Sequence, residues 1–115
     1  MLAPIETQFA RLIWEHAPLA SGELVKLCEM HLGWKKSTTY TVLRRLCDRG
    51  LFRNEGGTVT AVVSREEYEN RQSHAFVAEN YGGSLPRFLA AFSSGKKLSQ
   101  EEVDALQALI DENRR

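Results

Sequence analysis

At 115 residues, 43% of them hydrophobic, the chain can bury one real core but hardly two, so one compact domain with a small helical appendage is expected. No apolar run approaches the roughly 20 residues that span a bilayer, and the N-terminus lacks a signal-peptide layout, so a soluble intracellular protein without membrane insertion is expected. Lys and Arg number 15 and Asp and Glu number 15, a neutral total that excludes a uniformly basic protein but not a concentrated basic element.

In chain order, Pro4 suits the first turn of a helix. Ile5, Phe9, Leu12 and Ile13 follow at helical spacing, with Trp14 beside them, until Ala17-Pro18 ends the pattern. Ser21 is positioned to cap a second helix through His31, with Leu24, Leu27 and Cys28 on its apolar stripe. Cys28 and Cys47 both fall on predicted apolar faces with no Cys-x-x-Cys or paired Cys/His spacing. Buried free thiols are expected, with no metal and no cofactor.

A short connection, Gly33 to Lys36, leads to the next element, so that two helices form a helix-turn-helix. Ser37 can cap this third helix and Gly50 can take the left-handed conformation after its last turn. Thr39, Val42, Leu43, Leu46 and Cys47 recur at three- and four-residue steps and predict a core-facing stripe. Thr38, Tyr40, Thr41, Arg44, Arg45 and Asp48 are expected to point outward, with Lys35 and Lys36 before the helix and Arg49 and Arg53 around its end. Residues 34–53 hold six cations and one anion, a local charge of +5, whereas residues 65–115 carry seven cations and nine anions. Hydroxyls near a helix start with cations at both ends suit a helix in a DNA major groove, short polar side chains at base edges and cations on phosphates. Lys35, Lys36, Ser37, Thr38, Tyr40, Thr41, Arg44, Arg45, Arg49 and Arg53 are therefore the candidate DNA-binding residues. Trp34 suits the sugar-phosphate backbone or a staple onto the core equally well.

Leu51 to Asn54 and Thr58 to Ser64 read as strands, and Gly56-Gly57 between them signals a hairpin turn. Three helices followed by a hairpin is the winged helix order, with the hairpin as the wing. Ser64-Arg65-Glu66-Glu67 has capping-box form and predicts a fourth helix through Tyr68, Phe76 and Val77 to about residue 80, broken by Tyr81-Gly82-Gly83. Ser84 caps a short helix, and Ser99-Gln100-Glu101-Glu102 opens a last one. Phe76, Leu85, Phe88, Leu89, Phe92, Val103, Leu106, Leu109 and Ile110 are too many large apolar residues for so short a segment to cover, which predicts homodimerisation through them. The expected architecture is mostly α with a small β-hairpin: a winged helix DNA-binding domain over residues 1–64 and a helical dimerisation region over 65–115.

The stretch Trp34-Lys35-Lys36-Ser37-Thr38-Thr39-Tyr40-Thr41-Val42-Leu43-Arg44-Arg45-Leu46, ending in Arg49-Gly50-Leu51, strongly resembles the reading helix of the BlaI/MecI/CopY family of bacterial repressors. The likeness continues at Ile13-Trp14, at Ser73-His74 with Phe76, at Gly83-Ser84-Leu85, and at Leu98-Ser99 with Glu101-Glu102-Val103. The resemblance implies a cytoplasmic bacterial homodimer that binds a palindromic operator in double-stranded DNA through its winged domain. It also implies, for the β-lactam branch, a membrane sensor and protease pathway that cuts the dimerisation region at an Asn-Phe bond. The matching bond here is Ala91-Phe92, the candidate cleavage site, and it departs from that pattern. The copper branch carries a cysteine-rich C-terminal metal site, which Asp111-Glu112-Asn113-Arg114-Arg115 does not supply. Where the family wing often has Arg after its glycine, this chain has Gly57-Thr58, so less binding is expected from the wing.

Two other functions compete. The histidines His16, His31 and His74 are scattered, and neither a nucleophile with a base nor a phosphate-cradling glycine loop is present, which disfavours an enzyme. A winged helix serving only as a protein-interaction module is the serious rival, and the clustered +5 argues against it.

Overall fold

Pro4 opens α1 (Pro4–His16), where a ring without an N–H costs nothing, and Glu6 closes the first turn by accepting the N–H of Ala3 at 3.0 Å. This computed structural model describes residues 2–114; Met1 and Arg115, the outermost residues of the two expected regions, lie outside it. A two-residue strand, β1 (Leu19–Ala20), follows, then α2 (Ser21–Leu32), α3 (Lys36–Asp48), the hairpin β2 (Phe52–Glu55) and β3 (Thr58–Ala61), and the helices α4 (Arg65–Tyr81), α5 (Leu85–Ser93) and α6 (Gln100–Glu112). The winged helix-turn-helix order expected from the sequence is present, with C-terminal helices after it.

The sheet has three antiparallel strands in the order β1-β3-β2, with Leu19 opposite Val59 and Phe52 opposite Ala61. The hairpin expectation missed β1, because two residues after a proline carry no alternation to detect. Gly56 and Gly57 both have positive φ, 58° and 83°, the geometry a two-residue hairpin turn needs to match strand twist. The second strand ends at Ala61 rather than Ser64; the N–H groups of Val62 and Val63 turn instead to the carbonyl of Leu51 at 3.0 and 3.2 Å.

The core brings Phe9 and Ile13 of α1, Leu24 and Cys28 of α2, Leu43 and Leu46 of α3, and Val59 of β3 into one cluster. Trp14 spans its edge, its ring 5.4 Å from Phe52 and its indole N–H donating to the carbonyl of Val63 at 2.9 Å. Ile5, placed on the apolar stripe by spacing, is instead exposed.

The chain divides into two compact units, residues 1–72 and 73–115. Helix α4 runs across that division. Its first half joins the first unit through Tyr68, whose hydroxyl accepts the N–H of Leu2 at 3.1 Å and whose ring lies 5.5 Å from Trp14. In the second unit, Ser84 accepts the N–H of Arg87 at 3.2 Å to start α5, and Ser99 and Glu102 form a reciprocal capping box at the start of α6. Phe76, Tyr81, Phe88 and Phe92 make a run of ring contacts with centroids 5.4 to 6.1 Å apart.

Candidate nucleic-acid interface

Helix α3 is held from one side only. Thr39, at 1% exposure, and Val42, Leu43 and Leu46 are buried, as their spacing predicts. At the C-terminal end Gly50, with φ of 81°, lets the N–H of Leu51 reach back to the carbonyl of Leu46 at 3.1 Å. At the other end two expectations need correction. The N-cap is Lys35, not Ser37, and no side chain caps the helix. Trp34 stacks on Phe9, with centroids 5.3 Å apart, and this tertiary contact fixes the entry of the chain and starts the helix before the serine. Likewise Ala20, not Ser21, is the N-cap of α2. Ser21 accepts instead from the hydroxyl of Tyr40 at 3.0 Å, while its own N–H donates to the carbonyl of Gly57. Tyr40, expected on the outer face, is therefore half-buried and ties α3 to the start of α2.

Lys35, Lys36, Ser37, Thr38, Thr41, Arg44, Arg45, Asp48 and Arg49 are exposed, and Arg53 stands exposed on β2. The structure thus gathers nine of the ten candidate residues, all except Tyr40, on the solvent side of α3 and the adjoining strand. A groove of about 500 Å³ lies between α3 and β2, lined by Tyr40, Thr41, Leu43, Arg44, Cys47 and Asn54, so that only Thr41 and Arg44 of those nine border it. The hydroxyl proton of Thr41 is donated to the carbonyl of Ser37 at 2.9 Å, so what Thr41 offers outward is its methyl group and oxygen lone pairs.

The first turn of α3 has no acidic residue. Asp or Glu there would complement the positive end of the helix dipole; Lys35 and Lys36 oppose it, an arrangement an external anion would relieve. The six cations are not equivalent. Arg45 Nε lies 3.1 Å and Arg49 Nη1 4.0 Å from the carboxylate of Glu6, and Arg53 pairs with Glu55 at 3.3 Å. Lys35, Lys36 and Arg44 make no ion pair among the described residues. Glu6 was missed by sequence reasoning. Its capping role at the third position of α1 is readable locally, but a pairing with α3 leaves no local trace.

Both thiols are free, Cys28 buried and Cys47 half-buried. Burial pushes the Cys28 thiol up, with a hydrogen bond from Thr39 pulling partly the other way. Burial, and then the charge of Asp48, push Cys47 up, against a backbone hydrogen bond at Asn54. Neither is poised as a thiolate. Among the described residues no group of three or more His, Cys, Asp or Glu could hold a metal ion. No described helix is long and apolar enough to cross a membrane.

In the second unit the candidate dimerisation residues Phe76, Leu85, Phe92, Val103, Leu109 and Ile110 are exposed, Leu85 at 57% and Phe92 at 63%. Phe88, Leu89 and Leu106 are half-buried and line an apolar groove of about 330 Å³ between α5 and α6. Ala91 and Phe92 both lie on α5 and are exposed.

Three helices, a three-stranded sheet ending in a glycine turn, and a third helix buried on one face and basic on the other define a winged helix-turn-helix protein. The chain belongs to the penicillinase repressor family, a family of transcriptional repressors, whose description matches residues 2–112. It is 26% identical to the penicillinase repressor of Bacillus licheniformis, over 98% of this chain and 91% of that protein. It is 19% identical to the methicillin resistance regulatory protein MecI of Staphylococcus aureus strain N315, over 96% and 93% of the two chains. An uncharacterised 16.5 kDa protein of Latilactobacillus sakei is 26% identical over 91% of this chain and 75% of its own.

Proposed function

We propose that the chain represses transcription as a homodimer that binds a palindromic operator in double-stranded DNA, in the bacterial cytoplasm. The exposed row Lys35, Lys36, Ser37, Thr38, Thr41 and Arg44, opposite a fully buried stripe on the same helix, carries this proposal. Thr38 and Thr41 face base edges in the major groove. Lys35, Lys36 and Arg44 take phosphates, with Arg45, Arg49 and Arg53 contributing what their carboxylate partners leave. Ser37 donates its hydroxyl to the backbone of the DNA, and Tyr40 acts from behind by locking α3 against α2. The wing, with Gly57-Thr58 at its tip, adds little.

Two copies associate through the second unit. One reading helix covers only a few base pairs, so selectivity requires two of them held about 34 to 36 Å apart or a multiple of it. Mutual repulsion of the basic faces rules them out as the contact, and the exposed apolar residues of α4, α5 and α6 have no partner within their own unit large enough to bury them. Both named relatives are regulators whose names refer to penicillinase or methicillin resistance. A membrane sensor and protease pathway acting on this chain would end repression by cutting the second unit, with Ala91-Phe92 as the candidate bond.

Fluorescence anisotropy on random and selected duplexes across a salt series tests the proposal. A slope of log K against log salt of roughly −5 to −9 is expected for a dimer using three to five cations per subunit. Affinity that ignores salt, or no binding to any duplex at low salt, would instead favour a protein-interaction module.

A further inference from the structure

Among the described residues Glu6, at 9% exposure, is the only charged side chain that is buried. One carboxylate oxygen, Oε1, accepts the N–H of Ala3 at 3.0 Å and lies 4.0 Å from Arg49 Nη1. The other, Oε2, meets Arg45 Nε at 3.1 Å. Helix α1 thus lays a full negative charge against two cations of the basic surface on α3. The cap of α1 does not require that charge, since a glutamine at the same position of a capping box accepts the same N–H. Stability gains little from it either, because the arginine side chains are 55% and 39% exposed and solvent screens the pair. An approaching polyanion, by contrast, meets the sum: a trio carrying one positive charge instead of two.

We propose that Glu6 sets the strength of the DNA interface, holding down sequence-independent DNA binding by neutralising part of the charge Arg45 and Arg49 present to phosphates. The proposal rests on the DNA-binding function above. Sequence-independent affinity follows the number of phosphates neutralised, whereas base reading by Thr38 and Thr41 does not. A carboxylate behind the arginines lowers the phosphate contribution and leaves base reading intact, and it also gives Arg45 a fixed anchor on its ε edge.

The test uses the full chain and a random-sequence duplex. Glu6→Gln keeps the acceptor for Ala3 and removes the charge. It should bind about threefold to fivefold tighter per subunit at low salt, the effect of one unit charge at about 5 to 6 Å in a water-like dielectric. Its salt slope should steepen by about one unit per subunit. Adding Arg49→Gln in the same chain restores the local charge and should return both quantities to the wild-type values. Unchanged or weaker binding by folded Glu6→Gln would overturn the proposal, as would tightening that persists undiminished with Arg49→Gln. Circular dichroism and melting establish folding; if the glutamine variant does not fold, Glu6→Ala, which leaves no amide to bury, is read the same way. A wild-type chain that binds no duplex at low salt would overturn the DNA-binding function itself, a different result from a wild type that binds with normal salt dependence while Glu6→Gln behaves identically.

Discussion

The first unit closes on itself: Phe9, Ile13, Leu24, Leu46 and Val59 from three helices and a strand are fully buried against one another, and Glu6 and Thr39 go in with hydrogen-bond partners. From Ser73 to Arg114 no described residue is buried, although Leu85, Phe92, Val103, Leu109 and Ile110 are as apolar as anything in the core. Local chemistry is equally good in both, since α5 and α6 have side-chain caps that α1, α2 and α3 lack. Sound helices are therefore not enough for a core. A layer of helices needs a second layer to bury its apolar face, and the first unit contains one whereas the described residues of the second do not supply it.

The contrast can be broken from the inside. Phe9→Ala should cost about 3 to 5 kcal/mol of stability, a full transfer and cavity loss, seen as a lower urea midpoint for the whole winged unit. Phe92→Ala should cost far less in dilute protein, and a similar loss at both sites would contradict the asymmetry. Removing the second unit altogether, by ending the chain after Gln72, should leave a folded monomer whose operator affinity falls by about 10² or more, the usual scale of lost avidity. Sedimentation and gel shift decide it; a truncated chain that stays dimeric, or binds as tightly as the whole, would give the C-terminal helices another role. Ending after Ser64 is the poorer cut, because it takes away Tyr68 and its contacts with Leu2 and Trp14.

A smaller effect sharpens the assignment of reading to the first unit. Thr41→Ala should weaken operator binding by about 1 to 3 kcal/mol and leave random duplex nearly unaffected, whereas Arg44→Gln should weaken both. Equal loss on the two duplexes for Thr41→Ala would remove it from base reading. The smallest effect concerns the second unit's reliance on local order. Ser99→Ala should destabilise α6 by about 1 kcal/mol and, if that helix is ordered by association, weaken the dimer in sedimentation without touching random-duplex binding by the first unit.

Much of what residues within about one turn of each other set was legible in the chain alone, although the caps expected at Ser21 and Ser37 do not form and that of Glu6 on Ala3 was missed. The buried stripe of α3, the positive-φ glycines of the wing, the caps at Ser64, Ser84 and Ser99, and the concentration of cations between Trp34 and Arg53 all follow from spacing and side-chain type. Such signals are local because helix faces, caps and tight turns are made by near neighbours. The strand at Leu19–Ala20, the turn of Tyr40 inward to Ser21, the seat of Trp34 on Phe9, and the pairing of Glu6 with Arg45 and Arg49 required the folded chain. Tyr40 and Ser21 are 19 residues apart and Trp14 and Val63 are 49 apart, distances at which packing, rather than periodicity, selects the partner. That is why a row of six cations could be read from the chain, while the division into those left open and those held by a carboxylate emerged only when α1 was laid beside α3.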